Sequence, residues 1–372
     1  MNMILPILLL IPATFLLSCL LTAAVRHLAP RLNFVDNPGH RKIHRAPIPL
    51  GGGIAIFHTL CLPLLLVVFL VHTGLTPPVL PLDEPTRLAL EGGIRQQTPM
   101  LLAILFGALI LHITGLVDDR RALGPYSKLL IQLAVAVGLV SAFPTLRLLT
   151  ALGPAVSITV TVLWIVAITN AMNFLDNMDG LSAGIAAVAS ATFLVLTLLI
   201  GQWFVAATLA CLLGACLGFL VFNRPPASIF MGDSGSLILG YFLSVLTVRT
   251  TFLPPGTSFD SAAFAVFMPV LVLAVPLYDL IVVSIIRISR GKSPFHGDTN
   301  HFSHRLVAHG FSKPAAVAII LLITAATSLG ALILVFVNSW LGATLVFTQT
   351  LALLAVVRIL ESRPPSPNPP PK

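Results

Sequence analysis

The sequence predicts an all-α fold, a polytopic bundle of transmembrane helices. Three observations predict it. Of 372 residues, 57% are hydrophobic and only 9% charged, far below the roughly 25% charged residues of a soluble domain. Apolar runs of about 20 residues, enough to cross a bilayer as a helix, recur along almost the whole chain. Lys and Arg collect in alternate connections between those runs, as they do in cytoplasmic loops.

The spacing predicts eleven spans in a single integral-membrane domain, residues 1–358. The first, 3–25, has no basic residue before it and Arg26 and Arg31 after it, so it reads as an anchor with its start outside rather than a secretory signal. Spans at 51–73, 99–117, 127–143 and 156–172 follow, with TGLTPPVLPLDEPTRLALEGGIRQQ (74–98) as the longest outer loop. The next pair is 181–201 and 203–222; in the latter, Gly214 and Gly218 form a GxxxG pair that lets helices approach closely. The last four are 235–252, 263–287, 314–336 and 340–358. The end, 359–372, is a Pro-rich tail that reads as disordered.

With the amino terminus outside and the carboxyl terminus inside, seventeen of the 21 Lys and Arg lie on the inner side. Only Arg87, Arg95, Arg147 and Arg249 lie outside. That asymmetry follows the positive-inside rule and explains the net charge of +8 without a nucleic-acid partner. The four cysteines all fall within apolar runs and read as packing residues.

The acids follow the same polarity. Apart from Asp83, Glu84, Glu91 and Asp260, every carboxylate lies on or just below the inner face, as do His27, His40, His44, His296, His301, His304 and His309. A cleft at the cytoplasmic face therefore carries the chemistry.

Four inner segments supply its candidates. In VDNPGHRKIHRAPIPLGGG (35–53), Arg41, Lys42 and His44 stand beside a glycine run whose N–H groups could approach an anion; an ordinary basic loop is the plain alternative. In GLVDDRRALGPYSKLLIQ (115–132), Asp118 and Asp119 point about 100° apart on a helix and address different partners, with Lys128 nearby for a phosphate. In NAMNFLDNMDGLSAG (170–184), residues three or four apart share a helix face, so Asn170, Asn173, Asp176 or Asn177, and Asp179 form one polar stripe. In FNRPPASIFMGDSGSLILGY (222–241), Asp233 stands between glycine and serine, an oxygen-rich setting that suits Mg²⁺.

The long loop 286–314 adds His301, His304 and Arg305, which a helical turn would present together. No HExxH pattern or cysteine pair accompanies them, which argues against zinc. Asp279 lies about eight residues inside the ninth span, roughly 12 Å deep at 1.5 Å per residue. An ionisable group at that depth is a functional candidate, and a buried partner for a cation such as Lys128 is the other reading.

Several acids, many cations, and no Ser-His-Asp or Cys-His pattern point to phosphate chemistry, in which the protein positions reactants and stabilises charge. A site between water and lipid suits a cytosolic nucleotide donor and a lipid-borne acceptor. A phosphomonoester acceptor, with a second pKa near ~6, is mostly dianionic at neutral pH and needs no strong base.

The segments DNPGHRKIHRAPIPLGGG, GLVDDRRALGPYSKLLIQ, NAMNFLDNMDGLSAG, FMGDSGSL, PLYD and SPFHGDTNHFSHRL, in this order between residues 26 and 313, resemble the motif set of the polyprenyl-phosphate N-acetylhexosamine-1-phosphate transferases. The resemblance implies transfer of a sugar-1-phosphate from a UDP-N-acetylhexosamine to undecaprenyl phosphate with release of UMP, using Mg²⁺, with Mn²⁺ as the alternative. It implies catalytic roles for Asp118, Asp119, Asp176, Asp179 and His301. Substrate contacts fall to Arg41, Lys42, His44, Lys128, Asn173, Asp279, His304 and Arg305, and metal contacts to Asp233 and Asp119. Asn177 stands where the family motif has glycine.

HFSHR in place of three contiguous histidines favours an N-acetylglucosamine donor over the muramoyl-pentapeptide donor. The expected location is the bacterial cytoplasmic membrane, embedded in the lipid bilayer, with a homodimer left open. A transporter built on intramembrane carboxylates is the rival from another class; its sites sit at the bilayer midplane within repeated halves, whereas here the acids lie at span ends and no repeat occurs.

Overall fold

The protein is described by a computed structural model covering residues 3–37, 47–75, 84–251, 267–294, 298–337 and 339–361. Hydrocarbon offers no water to the backbone, so an apolar chain must close its own hydrogen bonds, and a helix does this locally. In chain order the helices are α1 (Ile4–Leu28), α2 (Gly52–Thr73), α3 (Glu84–Arg120), α4 (Pro125–Ala142), α5 (Pro154–Phe174) and α6 (Leu181–Leu199). They continue as α7 (Trp203–Asn223), α8 (Asp233–Thr250), α9 (Ala274–Ser289), α10 (Phe302–Ala308), α11 (Lys313–Phe336) and α12 (Trp340–Glu361). A two-stranded antiparallel pairing sets Val35 opposite Pro49 and Asp36 opposite Ile48. Arg41, Lys42 and His44 lie outside the described residues.

Among the described residues nine helices, α1 to α7 with α11 and α12, are long and apolar enough to cross a membrane. The protein is therefore a multi-pass helical membrane protein. The eighth expected span, α8, falls below that hydropathy because of Asp233, Arg249 and its small polar residues. It needs no apolar coat, since every residue but Asp233 and Arg249 is buried. It is the central post, packed by α5, α3, α2 and α6.

Small residues make that centre possible. A Cβ on Gly115 of α3 would sit 2.4 Å from the Ser234 backbone, and one on Gly53 of α2 would sit 2.3 Å from Gly235 N. On the rim, Gly214 and Gly218 let α1 lie against α7, with Thr14 and Phe15 in their place and Ser18 Oγ donating to Ala215 O at 2.8 Å. Between helices in lipid, where burial of apolar surface gives little drive, such close packing supplies the attraction.

Two sequence expectations change. The segment 84–98, read as loop, is the first part of α3: its Leu, Ala, Glu, Arg and Gln are good helix formers and the helix runs past the apolar stretch. The long loop 286–314 contains the short α10 and folds back on α9 rather than hanging free.

Candidate active site

Successive helices alternate in direction, so the ends of α1, α3, α5, α7, α9 and α12 and the starts of α2, α4, α6, α8 and α11 share one end of the bundle. Direct contacts confirm this: Arg26 reaches Ser228, Asn173 reaches Asp233, and Arg305 reaches Glu361. All the described candidate residues lie there, in two groups.

The first group gathers carboxylates. Gly232, at φ +73°, turns the chain into α8 and leaves Asp233 in the first helical turn. Lys128, from the first turn of α4, donates to Asp118 Oδ2 at 3.0 Å and to Asp233 Oδ2 at 2.7 Å. Asn173, in the last turn of α5, donates to Asp233 Oδ1 at 3.0 Å and to Ser236 Oγ at 2.9 Å. Asp119 accepts from Asp233 N at 2.7 Å and Ser234 N at 3.2 Å, so it caps the α8 N-terminus, where a negative charge faces the helix dipole. A Cβ on Gly232 would lie 2.5 Å from that carboxylate, so only glycine fits this turn.

The two neighbouring aspartates thus take separate partners, as their angular offset predicts. Asp176 completes the group from the α5–α6 turn, partly exposed. Burial first, then the charges of Asp233, Asp119 and Asp179, push its carboxyl well above the usual range against an N–H from Gly232. Two of the four carboxylates, Asp118 and Asp233, share the Lys128 ammonium, which among the described residues is the sole cation at ion-pair distance from the group.

Asp179 turns elsewhere, accepting from Ala227 N at 2.9 Å. The polar stripe expected on one helix face fans out because α5 ends at Phe174. Asn170 donates to Gln132 of α4, Asn173 faces Asp233, and Asn177 faces Ser303. Asn177 does not have a positive φ; that conformation belongs to Gly180 at +74°, so the absence of glycine at 177 leaves the turn intact. The glycine run, read as a phosphate cradle, spends its N–H groups within the protein: Gly52 N donates to Phe230 O and Gly53 N to Met231 O.

The second group is built by α9 and the returning loop. Asp279 is completely buried; its Oδ2 meets His301 Nδ1 at 2.8 Å and its Oδ1 accepts from Phe302 N at 2.6 Å. Lys128, named as a partner for Asp279, pairs with Asp118 and Asp233 instead. Arg287 Nη2 lies 3.3 Å from His301 Nε2. A guanidinium only donates, so Nε2 accepts from Arg287 and Nδ1 faces the Asp279 carboxylate.

Arg287 is itself buried, forks onto Asp298 at 3.1 and 3.2 Å, and lies 5.0 Å from the Phe174 ring centre. For Asp298 burial raises the carboxyl, but the bonds from Arg287 and Asn300 outweigh it and hold it low. Arg305 pairs with Glu361 at 3.0 Å rather than facing the cleft. His304, half-buried beside His301, has its pKa lowered, by burial first and then by the neighbouring His301.

Sequence reasoning passed over Arg287 and Asp298 as site residues, because Asp298 lies beyond the end of α9 and their meeting depends on the loop between them. It also missed His112, hidden in an apolar run, whose Nδ1 donates to Ser234 O at 3.0 Å at the back of the α8 turn.

Fold and site together define a class: an integral-membrane enzyme whose polar machinery sits at one end of the bundle and is rich in oxygen ligands. Residues 101–251 match the family described as glycosyl transferase family 4. The chain is 33% identical to a "Probable undecaprenyl-phosphate N-acetylglucosaminyl 1-phosphate transferase" of Bacillus subtilis (strain 168), over 91% of this chain and 88% of that protein. It is 34% identical to a "Decaprenyl-phosphate N-acetylglucosaminephosphotransferase" of Mycobacterium tuberculosis (strain CDC 1551 / Oshkosh), over 85% and 80%. An "Undecaprenyl-phosphate alpha-N-acetylglucosaminyl 1-phosphate transferase" of Escherichia coli (strain K12) is 26% identical over 84% and 79%. The chain belongs to this family, the polyprenyl-phosphate N-acetylhexosamine-1-phosphate transferases.

Proposed function

We propose that the protein transfers N-acetylglucosamine-1-phosphate from its UDP-sugar to undecaprenyl phosphate, at the cytoplasmic face of a bacterial inner membrane, as an initiating step of cell-envelope polysaccharide synthesis. The observation that carries the reading is the carboxylate group around Lys128, at the water-facing end of a bundle whose sequence is related to these enzymes.

In this reaction an oxygen of the acceptor phosphate bonds to the sugar-bearing phosphorus of the donor. The bond from that phosphorus to the bridging oxygen breaks, and UMP leaves with the electron pair. A dianionic acceptor needs no deprotonation. Lys128 neutralises the approaching phosphate and holds Asp118 and Asp233 in register; Asn173 orients Asp233; Asp119 acts by fixing the α8 turn.

The residues fit Mg²⁺. The ligand atoms their carboxylates offer are all oxygen. Among the described residues no three His, Cys, Asp or Glu form a ready-made cage, which accords with a cation that is usually held by one or two carboxylates plus substrate phosphates. Asp233 would hold it together with the substrate phosphates, and it would supply charge stabilisation on the diphosphate. On the other side, Asp279, Arg287 and Asp298 fix His301, which sets α10 so that His304 faces the donor.

The test is UMP release by the purified protein with undecaprenyl phosphate and, in turn, UDP-N-acetylglucosamine, UDP-N-acetylgalactosamine and UDP-N-acetylmuramoyl-pentapeptide, with and without Mg²⁺. Mg²⁺-dependent release from the first is expected. Release from the pentapeptide donor alone, or from none, overturns the assignment.

A further inference from the structure

We infer that the hydrogen bond between Ser303 and Asn177 is a positioning clamp that sets the spacing between the two halves of the site. Ser303 Oγ donates to Asn177 Oδ1 at 2.6 Å across 126 residues of sequence. Among the described residues it is the one hydrogen bond joining the turn 175–180 to the segment 300–308.

Both ends are anchored. Asn177 Nδ2 donates to Phe174 O at 2.6 Å, satisfying a carbonyl at the end of α5. Ser303 is fully buried on the first turn of α10. The flanking residues are the ones the site uses: Asp176 beside Asn177, and His301 and His304 on either side of Ser303.

A donor that must touch the carboxylate turn and the imidazole segment at once binds only when both are in register. Loosening them lowers the fraction of competent protein and raises the apparent dissociation constant in proportion. The acceptor phosphate, read here as meeting only the Lys128 side, is insensitive to that register. The inference rests on this division of substrates.

The experiment compares the purified full-length protein with Asn177→Ala, Ser303→Ala and the double variant. Donor KM is expected to rise about tenfold in each single variant, the effect of leaving one buried hydrogen-bonding group unpaired, and no further in the double. Acceptor KM should stay within about twofold. Loss of folded protein would move neither KM. Additive effects in the double variant, equal changes in both KM values, or no change overturn the clamp.

Amide hydrogen exchange of 175–180 and 302–308 in the same variants is the second arm, with faster exchange in both segments expected from either single change. Should the unaltered protein consume no UDP-sugar, the donor reading fails while exchange still decides the clamp, and unchanged exchange in the variants overturns it.

Discussion

The two halves of the site are both rich in ionisable groups, yet they are built on different plans. Around α9 and α10 the buried groups are paired: Arg287 with Asp298, Arg305 with Glu361, and the His301 imidazole with Asp279. Around the start of α8, Asp118, Asp119, Asp176 and Asp233 answer to Lys128 alone among the described cations. A balanced network is scaffolding, because removing one partner leaves a buried charge uncompensated. The difference separates a paired network around α9 and α10 from a carboxylate cluster around α8 with a single described cation.

The largest expected effect breaks the unbalanced half. Asp233→Ala should reduce UMP release on the order of 10³-fold or more, the scale of several kcal/mol of charge stabilisation. Its helix content should match the parent by circular dichroism. Full Mg²⁺-dependent turnover in that variant would remove Asp233 from the metal site.

Next in size, stability should respond with opposite sign in the two halves. Arg287→Met should destabilise by roughly 3–5 kcal/mol, and Arg287→Met combined with Asp298→Leu should recover most of it. Asp118→Asn relieves repulsion with Asp233 and should leave stability unchanged or raise it by ~1 kcal/mol or less, while lowering turnover. Thermal unfolding in detergent measures all three, and a loss in Asp118→Asn as large as that in Arg287→Met would erase the contrast.

The smallest effect is a pH slope. Asp176 has a folded pKa above its ordinary value of 3.8, so the folded state binds the extra proton. Its contribution to stability is full below 3.8 and is lost as pH rises through the folded pKa. The melting temperature should therefore fall with rising pH above that value, and Asp176→Asn should flatten the slope. An unchanged slope in the variant assigns the effect to other groups.

The sequence by itself determined the helical membrane architecture and the placing of Asp118, Asp119, Asp176, Asp233, Lys128 and Asn173 at span ends on one side of the bundle. These are local properties: run length and hydropathy decide a span, and each motif sits at a span end. The central place of α8 was not legible, because its low hydropathy is tolerated only once neighbours surround it. Nor were the pairings. Lys128 and Asp233 are 105 residues apart, and Ser303 and Asn177 are 126 apart. Who meets whom depends on how closely helices cross, and that distance is set by contacts such as Gly115 against Ser234 and Gly53 against Gly235. Only tertiary packing decided that the glycine run serves helix contact, that Asp119 caps a helix, and that Asp279 holds an imidazole.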